Sequence, residues 1–125
     1  MRKYKECEDM ATLLDDGVVW LEIAEQIKDM EYITKLKGLA DLDHCFHMRL
    51  AIKNALGSLD VAGTGRALQR GYITEDEYTK AEEVIKPLEE ACNLPHDKSR
   101  ELFSTAIKYA RELMATKVCE CLIKE

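Results

Sequence analysis

Aromatic side chains make up only 6% of the 125 residues, and the chain holds just 6 Gly and 2 Pro. So few turn formers and so few bulky strand formers exclude a sandwich or barrel of many short strands. Long apolar runs are also missing. The uncharged stretches last a handful of residues, against the roughly 20 needed to cross a bilayer. No apolar segment follows the basic residues of Met1-Arg2-Lys3-Tyr4-Lys5, so a signal peptide is not expected. Positive charge is in deficit, with 18 Lys+Arg against 24 Asp+Glu and a formal net charge of −6. Large nucleic-acid footprints usually carry a basic surplus, which disfavours such a partner here.

The 5 cysteines are odd in number and include no Cys-x-x-Cys pair. Cys119 and Cys121 are the closest in sequence, yet two positions apart on a helix they point roughly 200° away from each other. This pattern reads as reduced thiols in a cytoplasmic protein.

What the chain does have is helical period. Hydrophobic residues account for 46% and charged residues for 34%, with apolar positions recurring at steps of three and four. The expectation is one domain, residues 1–125, all-α, an antiparallel four-helix bundle with helices at about 4–30, 39–70, 75–92 and 98–124. In the first, Met10, Leu14, Leu21 and Ala24 form one stripe and Trp20, Ile23, Ile27 and Met30 a second. In the second, Leu42, Phe46, Leu50, Leu56 and Leu59 supply the core side. Gly63-Thr64-Gly65 interrupts that helix and Gly71 ends it. The third opens on a capping box, Thr74 with Glu77 three residues on, and Pro87 kinks or breaks it. The fourth starts behind Asp97 as N-cap. Its most buried residues are expected to be Phe103, Ile107, Ala110, Met114 and Leu122.

Two features exceed an ordinary core. Ala51, Ala55, Ser58 and Ala62 form a stripe of small side chains that lets another backbone approach closely, within the chain or from a second copy. The first helix is apolar on more than one side, Trp20 included, whereas a bundle helix needs one stripe. Trp20, Ala51, Ala55, Ser58 and Ala62 are therefore the candidate interface.

For chemistry, Asp41-Leu42-Asp43-His44-Cys45-Phe46-His47 is the densest set of ligand-type residues. His44 and His47 lie three apart, and Asp43 and His47 four apart, spacings that bring side chains to one helix face. Asp43, His44 and His47 are thus the candidate metal ligands. No Glu-x-x-His pair of the di-metal bundles occurs. Gly63-Thr64-Gly65 lacks the preceding strand and third glycine of a phosphate loop. No base, orienter and oxyanion pocket assemble into a catalytic set.

One stretch resembles a known family. Ala55-Leu56-Gly57-Ser58-Leu59, then Thr64, then Gly71-Tyr72-Ile73-Thr74-Glu75-Asp76-Glu77-Tyr78 is similar to the four-helix-bundle proteins encoded in intervening sequences of bacterial 23S ribosomal RNA genes. Their relatives are the accessory variability proteins of diversity-generating retroelements. The resemblance implies a non-enzymatic, homo-oligomeric bundle, often a pentameric barrel. In the retroelement branch it also implies a partner for a reverse transcriptase and structured RNA. It transfers no catalytic residue.

The functional expectation is a non-enzymatic helical-bundle interaction or scaffold protein. It would self-associate or serve as a small subunit of a larger assembly, a ribonucleoprotein accessory included. No cofactor is strongly implied and no membrane contact is expected. The alternative is a metal-dependent helical enzyme or metal-binding protein using Asp43, His44 and His47.

Overall fold

The computed structural model describes residues 2–38, 43–59 and 67–124. The fold is all-α: helices α1 (Arg2–Leu36), α2 (His44–Leu59), α3 (Glu75–Ile85) and α4 (His96–Ile123), with a 3-10 segment, Lys86–Asn93, between the last two. None of these helices is long and apolar enough to cross a membrane.

Helix α1 buries Cys7, Met10, Leu14, Val18, Leu21 and Ala24, positions three or four apart that make one stripe along its length. The second expected stripe is shallower. Trp20, Ile23 and Ile27 are half-buried against the core, while Met30 is exposed. The helix runs past the expected end at 30 and stops where Gly38 adopts φ +65°. That left-handed conformation suits glycine and lets the chain leave the helix.

The helix expected over 39–70 is shorter. Leu42, Ala62 and Gly63-Thr64-Gly65 lie outside the described residues, but residues 67–70 are turns, not helix. There the amides of Ala67 and Leu68 donate to the carbonyls of Ser58 and Leu59, both at 3.2 Å. The returning chain thus satisfies carbonyls left open at the end of α2. The expected core face of α2 is also corrected. Phe46 and Leu50 are 56% and 47% exposed, whereas Met48, Ala51, Ile52, Ala55 and Leu59 are buried.

The reason is close helix packing. An ideal Cβ placed on Gly17 of α1 would sit 3.6 Å from the carbonyl oxygen of Ala55 and 3.9 Å from Ser58 Cβ. Backbones this near each other need small residues on both sides, so the side of α2 with Ala51 and Ala55 turns inward; Leu56 and Leu59 pack inside as expected, while Phe46 and Leu50 turn out. Ala55→Leu is therefore expected to destabilise the chain by about 1–3 kcal/mol through overpacking. A chemical denaturation curve checks this; an unchanged midpoint would show the contact to be loose.

Helix α3 opens on the capping box. Thr74 Oγ1 accepts from the Glu77 amide at 3.1 Å, and Glu77 Oε1 accepts from the Thr74 amide at 2.8 Å. Pro87 breaks the helix and sits in the first turn of the 3-10 segment, where its missing N–H costs no hydrogen bond. Helix α4 then begins after Pro95, with Asp97 inside the first turn and no side-chain cap, which corrects Asp97 as the N-cap. Phe103, Ala106, Ile107, Ala110 and Leu113 are its buried stripe. Met114 is half-buried, and Leu122, expected inside, is 45% exposed.

Glu77 also ties α3 to α4. Its Oε1 lies 3.1 Å from Lys117 Nζ, and Tyr109 donates its hydroxyl to the Glu77 carbonyl at 3.2 Å. Partial burial alone would raise the Glu77 carboxyl, but the Thr74 hydrogen bonds and the Lys117 ammonium outweigh it and hold it below its ordinary 4.5. A carboxyl lowered by folding adds stability above its unfolded value, and that stability disappears as pH falls through the folded value. The stability gap between the native chain and Glu77→Gln is thus expected to be widest above pH about 5 and to close in acid. Urea midpoints across that range measure it; a gap independent of pH would refute the ionic contribution.

Candidate interaction surface

The candidate metal ligands do not converge. Asp43 is spent on local structure, its Oδ1 accepting from the Phe46 amide at 3.1 Å, the arrangement of a helix N-cap. His44 is buried at 6% exposure and His47 is exposed. Among the described residues, no three His, Cys, Asp or Glu side chains are grouped to hold a metal ion. Asp41 lies outside the described residues.

The candidate interface residues sit mostly inside the chain. Ala51 and Ala55 are buried under α1, Ser58 is half-buried with its hydroxyl donating to the Asn54 carbonyl, and Trp20 packs on the core. Ala62 lies outside the described residues. The close approach that these small residues permit is made between α1 and α2 of one chain.

The cysteines overturn the expectation of reduced thiols. Cys7 of α1 is bonded to Cys121 of α4, Cα atoms 5.6 Å apart, and Cys45 of α2 to Cys92 of the 3-10 segment, Cα atoms 5.3 Å apart. Both spacings lie inside the range a disulfide spans. The partners are 114 and 47 residues apart in sequence, so only the packing of the helices reveals them. Cys119 is the one free, exposed thiol.

A polar clamp lies on the side of the second disulfide. Lys28, 3% exposed, donates to Glu31 Oε1 at 2.9 Å, to the Leu94 carbonyl at 3.0 Å and to the Cys92 carbonyl at 3.3 Å. One turn of α1 thereby caps the end of the 3-10 segment. His96 adds to it, with Nε2 2.6 Å from Asp29 Oδ1 and its ring stacked on Tyr32 at 4.1 Å between centroids. From the other side, Arg49 donates to the Glu89 carbonyl. Contacts between α1 and α4 pair Cys7 with Cys121, Glu22 with Arg111 and Asp29 with His96. That descending order means these two helices run in opposite directions.

One stretch of the open surface is apolar. A groove of about 510 Å³ runs between α1 and the last turns of α4, lined by Ala11, Met114, Ala115, Val118, Cys119, Leu122 and Ile123. Ile123 is 77% exposed. Met30, Tyr32, Ile33 and Leu36 on α1 and Phe46 and Leu50 on α2 are further large exposed apolar residues, toward the α1–α2 connection. Sequence reasoning missed the groove because it placed Leu122 in the core; the signal available was Ala115, Cys119, Leu122 and Ile123 on one side of the last helical turns. No family model, curated protein or solved structure matches the chain.

Proposed function

We propose that this chain is a non-enzymatic helical-bundle interaction protein, one that assembles with itself or into a larger complex. The observation that carries the reading is the apolar groove between α1 and α4, lined by Met114, Val118, Leu122 and Ile123. Apolar side chains clustered on the surface of a small bundle mark a contact waiting for a partner. The same reading explains why the polar side chains that invite chemistry are occupied. Asp43 caps a helix, and Lys28, Glu31, Asp29 and His96 clamp the 3-10 segment.

Light scattering on the eluting protein at micromolar concentration tests it. A mass above the 14.3 kDa of one chain is expected, rising with concentration. A strict monomer throughout would end the self-association reading.

A further inference from the structure

We propose that the Cys45–Cys92 bond is a thiol–disulfide exchange site, opened by small thiols and closed by small disulfides, which sets how firmly the 3-10 segment is held, while Cys7–Cys121 stays closed. The device works within one chain, whether or not the chain assembles.

The two bonds differ in what an attacking thiolate meets. Exchange requires that it reach one sulfur and expel the other as a thiolate. Cys7 is 2% exposed on the buried stripe of α1, so its sulfur is out of reach. Attack on Cys121 would instead expel the Cys7 thiolate into the core, where an unpaired charge is costly. One buried partner thus protects the whole bond. Cys45 and Cys92 are both half-buried. Either sulfur can be approached, and either thiolate leaves near the surface.

Positive charge also gathers on the second bond. Cys45 is the second residue of α2, a helix of 16 residues, at the end whose dipole favours an anion. Arg49, one turn on, donates to the Glu89 carbonyl of the segment, and the Lys28 ammonium lies 3.3 Å from the Cys92 carbonyl. The neighbouring carboxylates are each engaged. Asp43 accepts from the Phe46 amide, Glu90 lies 3.8 Å from Arg49, and Glu31 is paired with Lys28.

The element that the bond pins is one that needs pinning. A 3-10 run of 8 residues exceeds the roughly three or four that such helices usually sustain, so Lys86–Asn93 is held from outside. Leu88 and Ala91 are buried, and Ser99 donates to the Ala91 carbonyl at 2.8 Å. The covalent tie to α2 is the Cys45–Cys92 bond. Without it the segment opens locally more often. Between openings, Lys28 on the Cys92 and Leu94 carbonyls and Arg49 on Glu89 return Cys92 to its place opposite Cys45, so the same bond re-forms.

The step is an exchange with a low-molecular-weight thiol such as glutathione. A glutathione thiolate attacks one sulfur of the pair, forming a mixed disulfide with it and releasing the other as a thiolate. A second glutathione thiolate attacks the glutathione sulfur of the mixed disulfide and releases the remaining protein thiolate. One protein disulfide is reduced to two thiols, two glutathione thiols are oxidised to one disulfide, and their two protons pass to Cys45 and Cys92.

The test treats Cys119→Ser, which removes the free thiol, with reduced glutathione in the absence of denaturant. The thiols that appear are alkylated and located by peptide mass. Cys45 and Cys92 are expected to be labelled together, at least tenfold faster than Cys7 and Cys121, and to be protected again once oxidised glutathione is added. On opening, amide hydrogen exchange across Lys86–Asn93 is expected to rise at least tenfold, and by more than in the middle of α1. Labelling of Cys7 and Cys121 at an equal or greater rate overturns the proposal, as does a Cys45–Cys92 bond that resists glutathione until the chain unfolds. Exchange in the segment that stays unchanged, or rises no more than in α1, overturns its link to the 3-10 segment and with it the proposal.

Discussion

The native protein is expected to present one thiol to an aromatic disulfide reagent, that of Cys119, and five after reduction in denaturant. Finding five in the native state would mean the bundle holds together without either bond. Stability should follow. In the chain-entropy account, a bond closing 114 residues contributes about 5 kcal/mol and one closing 47 about 4 kcal/mol. Replacing Cys7 and Cys121 together by Ser is expected to lower the melting temperature by roughly 15 °C, with helicity retained below the new transition. Cys45→Ser with Cys92→Ser should fall by slightly less. A shift of only a few degrees in the first variant would show that the covalent link merely decorates contacts that are sufficient alone.

Lys28→Met is expected to be the most damaging single substitution in the clamp, costing about 3–5 kcal/mol. The ammonium is buried beside Glu31, which is itself 6% exposed, and its other two partners are main-chain carbonyls. Removing it strands a buried carboxylate, because the remaining cation, Lys35, lies 3.6 Å away on an exposed side chain. Removing both charges leaves only the carbonyls short of a donor. Lys28→Met with Glu31→Leu should therefore regain much of the loss. Denaturation midpoints of the two single variants and the double variant measure the coupling. A double variant no more stable than Lys28→Met would place the cost on the carbonyls instead.

Much of the architecture is legible in the residue pattern. The stripe Met10, Leu14, Leu21 and Ala24 is buried as its period requires, and the Thr74–Glu77 capping box opens α3 as its spacing requires. Residue size misled where it was used to choose a face. Phe46 and Leu50 read as core, yet the close approach of Gly17 to Ala55 selects the alanine side of α2. Period alone cannot say which of two apolar stripes a neighbour will cover.

Two further features depend on tertiary proximity. Cys7 lies on the buried stripe of α1, three residues before Met10, but Cys121 becomes its partner only once α4 runs against α1. Lys28 and Glu31 look like an ordinary surface pair at helical spacing. They are buried because the 3-10 segment that Pro87 starts comes to rest on them.

The bond between Cys7 and Cys121 also changes how the molecule bears load. The two cysteines close residues 7–121 into one covalent ring. Tension applied to the chain on either side of the ring passes directly through the bond, leaving the helices between unstretched. A single protease cut anywhere inside the ring likewise yields no separate fragments until a reductant is added.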